Sequence, residues 1–116
     1  MAVGDQILEY SKAVIATGAR AVAPPIPGLA EAGYLDNETV FSLTERPRRL
    51  AVIGAGPIGC ELAQSFRRLG SEVHLLERMD QILTREDPDA AAIVQEAMVR
   101  EGVEMIFECG IEKVER

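Results

Sequence analysis

The sequence predicts an α/β fold: a truncated parallel sheet of order 3-2-1, built as strand–helix–strand–helix–strand over residues 50–107. Three observations predict it. Leu50-Ala51-Val52-Ile53 is an apolar run that stops at Gly54-Ala55-Gly56-Pro57-Ile58-Gly59, a G-x-G-x-x-G turn. Apolar residues at helical spacing follow that turn. A second apolar run, Val73-His74-Leu75-Leu76, then ends on the acidic residue Glu77.

Taken in order, the chain first offers Ile7-Leu8-Glu9-Tyr10, one arm of a short hairpin, and Ala13-Val14-Ile15-Ala16, an apolar strand closed by Thr17-Gly18. An apolar run into a glycine reads as a buried parallel strand with a tight exit. Pro24, Pro25 and Pro27 then forbid helix and central strand, so residues 19–28 form a stiff extended connector between two units. Leu29 to Ala32 predicts a helical turn ending at Gly33, and Asn37 to Leu43 another, with Asn37 as cap. The organisation expected is therefore an N-terminal unit with its connector over 1–28, a linker over 29–46, and a nucleotide-binding unit over 47–116.

After the glycine turn, Pro57 suits the first helical position, where its fixed φ and missing N–H carry no penalty. Ile58, Leu62, Phe66 and Leu69 fall on one face, predicted to be the buried one, and Gly70 stops the helix. The strand Val73–Leu76 is expected to be covered on both faces. Asp87-Pro88 opens the next helix as N-cap and first residue, with Asp89 in the first turn. Ala90, Ile93, Val94, Ala97 and Met98 predict its buried stripe. Val103 to Phe107 is the third strand, and Ile111 to Glu115 alternates as a half-exposed fourth. The first sheet strand would lack a neighbour on one side, an exposed apolar edge. Residues 13–17 are expected to complete it, within the chain or exchanged between two copies in a strand-swapped homodimer.

The totals narrow the function. With 116 residues, 47% hydrophobic and 27% charged, the chain reads as one small globular domain. A net charge of −7 disfavours nucleic acid and anionic membranes as partners. No apolar run is long enough to span a bilayer and no signal peptide opens the chain, which makes the cytoplasm the default expectation. Cys60 and Cys109 show no metal-ligand or C-x-x-C spacing and read as structural thiols; with one histidine, His74, placed in a buried strand, a zinc site is not expected.

The chemistry lies in the glycines. Gly54 permits the tight turn, Gly56 lets backbone approach a pyrophosphate, and Gly59 allows close helix–strand packing. The helix N-terminus at Pro57 and Ile58 supplies unbonded amides and partial positive charge for phosphates. Glu77 stands 18 residues past Gly59, near the spacing of about 20 expected for a carboxylate on the adenine ribose. It accepts hydrogen bonds from ribose hydroxyls and repels a 2′-phosphate, favouring NAD(H) over NADP(H); Arg78 and Arg85 are the cations that could oppose that preference. Together these residues predict a Rossmann-like dinucleotide site. Glu61 reads by itself as a favourable anion in the first helical turns.

Val14-Ile15-Ala16-Thr17-Gly18-Ala19-Arg20, Pro25-Ile26-Pro27-Gly28 and Val52 to Ala63 together resemble the middle of the FAD-dependent pyridine nucleotide-disulfide oxidoreductases. Gly56 to Gln64 is most similar to the mercuric reductase and dihydrolipoamide dehydrogenase-like branch. The resemblance covers essentially the whole chain. It implies that residues 13–18 are the last FAD-domain strand, with Thr17 and Gly18 near the flavin. It also implies that Glu61 helps bridge the nicotinamide and flavin sides. The family's first FAD fingerprint, its redox dithiol and its dimerisation domain are not in this sequence. The expectation is thus an NAD(H)-binding piece of a larger flavoprotein, with dinucleotide and the remainder of that protein as partners. Such a piece alone is expected to be inactive. The competing expectation is a free-standing regulatory nucleotide-sensing domain, which would begin at the fingerprint strand rather than 49 residues earlier.

Overall fold

The computed structural model describes residues 1–116. Strands β1 (Ala2–Val3) and β2 (Gln6–Ile7) form a small antiparallel hairpin. A helical turn α1 (Leu29–Ala32) and a 3₁₀ turn (Val40–Ser42) follow. The sheet unit comprises β3 (Arg49–Ile53), α2 (Pro57–Arg68), β4 (Glu72–Leu76), α3 (Pro88–Arg100) and β5 (Glu104–Ile106).

The strands lie in spatial order β3-β4-β5, all parallel, with Leu50 opposite Val73 and Leu75 opposite Met105. This is the predicted order of 3-2-1. The core forms on one face, where Val73, Leu75, Ala63, Cys60, Ala91, Met98 and Val103 meet. The opposite face is open: Ile53 is 42% and Ile106 45% exposed. For Val73–Leu76 the expected cover on both faces is complete on one side only: Val73 and Leu75 are buried, His74 and Leu76 partly so.

The helices turn differently from their large-apolar stripes. In α2 the buried residues are Cys60 and Ala63, whereas Ile58 is 54% and Leu69 66% exposed. Size explains the rotation. Gly59, Cys60 and Ala63 make the slimmest face, and only that face lets the helix approach the sheet closely. In α3 the buried residues are Ala91 and Met98, not the predicted Ile93 or Ala90, and Ile93 lies 69% exposed.

Loops close as their chemistry dictates, with one substitution. Asp87 caps α3, accepting the Asp89 amide at 3.1 Å. Ahead of the 3₁₀ turn, whose N-cap Thr39 makes no side-chain capping bond, Asp36 rather than Asn37 closes the loop: its Oδ1 accepts the amides of Glu38 and Thr39 and the Thr39 hydroxyl. At the far end of the helices, Arg67 Nε donates to the Glu101 carbonyl at 3.0 Å, while Arg68 pairs with the Glu101 carboxylate. These bonds tie the last turn of α2 to that of α3.

The expectation that residues 13–17 complete the sheet within the chain is corrected. Residues 13–16 form no strand; Val14 is 91% and Ile15 88% exposed, and β3 pairs only with β4. A strand exists only where a partner accepts its backbone bonds, and no segment of this chain lies beside Val14 and Ile15. The strand β2 ends at Ile7, Leu8 still exchanges backbone bonds with Met1, and Glu9 and Tyr10 lie outside the hairpin. Residues 111–115 make no ladder either. They run instead against the proline connector, where the Val114 amide donates to Pro27 at 2.9 Å and Gly28 lies under the Val114 carbonyl. The third strand is also shorter than predicted, ending at Ile106. With these segments projecting, the radius of gyration is 18.4 Å, against about 13 Å for a compact chain of this length.

Candidate functional site

The glycine turn sits at the C-terminal end of the sheet, where β3 gives way to α2. Gly54 has φ +94°, a conformation side chains rarely adopt. A β-carbon on Gly59 would stand on the carbonyl oxygen of Gly54, so the third glycine is required by packing. Gly56 differs. A β-carbon there would meet no atom within 4 Å, so the space beside it belongs to solvent or a ligand.

The start of α2 is not capped by the protein itself. Its N-cap is Gly56, with no side-chain hydrogen bond, and Pro57 occupies the first turn. The amides of Ile58 and Gly59 precede the first possible intrahelical acceptor. The other long helix closes its own N-terminus with Asp87. An uncapped helix start facing open space is suited to an anion, because unbonded N–H groups and the helix dipole both attract one.

Glu77 closes the other side of the turn. Its backbone is pinned to the end of β5, donating to the Ile106 carbonyl and accepting from the Cys109 amide, each at 2.9 Å. That aims the side chain across at the turn. Oε2 accepts the Ala55 amide at 2.7 Å, and Oε1 accepts the amides of Arg78 and Met79 at 2.8 and 3.0 Å. Partial burial pushes the carboxyl's pKa up, but the bonds from Ala55, Met79 and Arg78 outweigh it and hold the pKa below its ordinary value. The group is an anion throughout the neutral range, and its oxygens retain lone pairs for a hydroxyl donor.

The loop from Arg78 to Glu86 returns over the same turn. Ile82 is fully buried and anchors it, and Leu83 takes a left-handed backbone with φ 51°. The Leu83 amide donates to the Ala55 carbonyl at 2.8 Å, and Cys60 Sγ reaches that same carbonyl at 3.3 Å. Leu83, Thr84, Arg85 and Glu86 thus form a groove with Gly56 and Pro57. Beyond it, Glu61, Gln64, Val94 and Met98 line an adjoining groove along α2.

The structure brings Gly54, Gly56, Pro57, Ile58, Gly59, Glu77 and Arg78 to one end of the sheet. Glu61 lies exposed one turn into α2. Thr17 and Gly18 stand apart, exposed on the extended N-terminal segment. Ala55 and Leu83 went unnoticed in the sequence because they act through backbone atoms, which any residue carries. Two thiol and imidazole readings are also resolved. Cys60 is buried, and burial followed by the nearby Glu77 and Glu61 carboxylates pushes its pKa up to about 11, the reverse of a nucleophile's environment. His74 is half-buried on the open face rather than enclosed, its ring nitrogens 3.3 Å from Glu72 and 3.0 Å from Glu104.

Residues 2–116 match the family of pyridine nucleotide-disulphide oxidoreductases. The chain belongs to this family. It is 41% identical over 113 residues to a mercuric reductase of Bacillus cereus, a match spanning 97% of this chain and 18% of that protein. A dihydrolipoyl dehydrogenase of Bacillus subtilis (strain 168) is 37% identical over 102 residues, covering 88% of this chain and 22% of its own length. Among solved structures, a Cu(II) complex of the HOCl-induced flavoprotein disulfide reductase RclA from Escherichia coli has a TM-score of 0.78 at 38% identity, covering 84% of this chain and 23% of that one. This chain therefore spans about a fifth of the length of the relatives it matches. The family match includes residues 2–46, the stretch ahead of the fingerprint strand that a free-standing sensing domain would lack. No helix is long and apolar enough to cross a membrane.

Proposed function

We propose that residues 47–116 are the front part of an NAD(P)-binding domain that prefers NAD(H) to NADP(H), and that the whole protein uses it to deliver reducing equivalents to FAD. One observation carries this reading: the uncapped start of α2, with open space at Gly56, lies beside the ionised carboxylate of Glu77. The first feature suits a pyrophosphate and the second an adenine ribose.

The roles then divide by chemistry. The amides at Ile58 and Gly59 receive the diphosphate oxygens, and Gly56 lets them approach. Glu77 accepts from the ribose hydroxyls and disfavours a 2′-phosphate by like-charge repulsion. Arg78, exposed beside it, offers only a solvent-screened counter-charge. The bound nicotinamide supplies hydride chemistry; the chain orients it. Glu61 faces the path toward the flavin side. Residues 1–28 belong to the FAD-domain side, where the rest of the whole protein would supply the partner that lets 13–18 pair as a strand and place Thr17 and Gly18 by the flavin; 19–28 are its connector and 29–46 a linker. In the whole protein, electrons pass on to a disulfide, thiol or metal acceptor.

Calorimetric titration of the 116-residue chain with NADH and NADPH tests the reading. NADH should bind more tightly, and Glu77→Ala should weaken NADH by about tenfold, the loss of one charge-assisted hydrogen bond. Equal affinities in the wild type, with Glu77→Ala altering neither, would refute the preference.

A further inference from the structure

The peptide unit of Ala55 is held on both sides. Its N–H is taken by Glu77 Oε2 at 2.7 Å, and its carbonyl accepts from the Leu83 amide at 2.8 Å and lies 3.3 Å from the Cys60 thiol. Ala55 is 1% exposed, so no water can replace these partners without the turn opening. Its neighbours on either side, Gly54 and Gly56, are the two residues of the turn with least conformational restraint of their own. A turn of two glycines around one alanine would sample many orientations. The clasp on Ala55 selects one.

From this geometry we infer that Glu77 is a positioning residue for the glycine turn: by fixing the Ala55 peptide it sets the affinity for the diphosphate, independently of any contact with ribose. The mechanism is preorganisation. With Ala55 clasped, Gly56 and the first amides of α2 already face the space that a diphosphate would fill. Without it, binding must first order the turn, and the entropy lost reduces affinity for any ligand that uses those amides. The carboxylate is needed in both oxygens. Oε1 is engaged by Arg78 and Met79 while Oε2 serves Ala55, so a glutamine, with one acceptor oxygen, cannot satisfy both sides.

The inference about ligand affinity rests on the dinucleotide reading above, whereas the clasp itself does not, and the test separates them. In ligand-free protein, amide hydrogen exchange of Ala55 should accelerate about tenfold or more in Glu77→Gln, while the core amides of Val73 and Leu75 keep their protection. Those core amides report whether the variant still folds. Glu77→Gln and wild type are then titrated with NADH and with an analogue lacking both hydroxyls on the adenine ribose. A positioning role weakens the analogue as well as NADH, and any further loss seen with NADH alone is the ribose contact. A penalty confined to NADH would overturn it, leaving Glu77 a ribose contact only. Unchanged Ala55 exchange, with the core intact, would overturn the clasp. If wild-type protein binds neither ligand, the dinucleotide reading fails and the affinity half of the inference with it; the exchange result still decides the clasp.

Discussion

Gly59 lies directly against the carbonyl oxygen of Gly54, so that a β-carbon at 59 would stand only 2.0 Å from that oxygen. This contact joins the first turn of α2 to the end of β3. The close approach favours the slim face of α2 turning inward.

Gly59→Ala should therefore force helix and strand apart. Overpacking against backbone costs roughly 1–3 kcal/mol, a large share of the stability of a unit with so small a core. Gly56→Ala, with empty space around the site and an ordinary backbone conformation, should leave stability nearly unchanged. Urea denaturation of the two variants checks the contrast; equal midpoints would contradict the packing role assigned to Gly59.

Acid should loosen the glycine turn before neutral-range conditions do. The ordinary value for Glu77 is 4.5, and its folded pKa is lower. Below 4.5 the unfolded chain binds the proton more readily, so stability rises with pH across this interval. The contribution is complete above the ordinary value and is lost as pH falls through the folded one. In Glu77→Gln this part of the pH dependence should disappear, measured as the difference in denaturation midpoint between pH 6 and pH 3.

The two thiols should separate kinetically. Cys60 is buried, with its pKa pushed up to about 11, while Cys109 is partly exposed. At pH 8 a thiol reagent should modify Cys109 promptly and Cys60 only as the protein opens, since the thiolate is the reactive form. Mass spectrometry of the singly labelled product identifies the site. Prompt labelling of Cys60 in folded protein would contradict its environment.

Much of this was legible locally. The strand–turn–helix order around Gly54 to Gly59, the stop at Gly70, the Asp87 cap and the 3-2-1 order all follow from short-range sterics and one handedness rule. The buried faces of the helices were less legible. Counting large apolar side chains put Ile58 and Leu69 inside α2, but the helix presents its small residues to the sheet because proximity, not side-chain size, maximises contact there.

From the amino-acid order alone came the βαβαβ scaffold, its glycine turn, the acidic strand end and the family resemblance. These depend on backbone conformations and periodicities that neighbouring residues impose on one another. Only the tertiary structure decided that Val14 and Ile15 lie unpaired, that one face of the sheet is open, and that Glu77 reaches across 22 residues to clasp Ala55. Each of those is set by what stands opposite a residue in space. A carboxylate in a sequence says that it can accept hydrogen bonds. The fold determines whose.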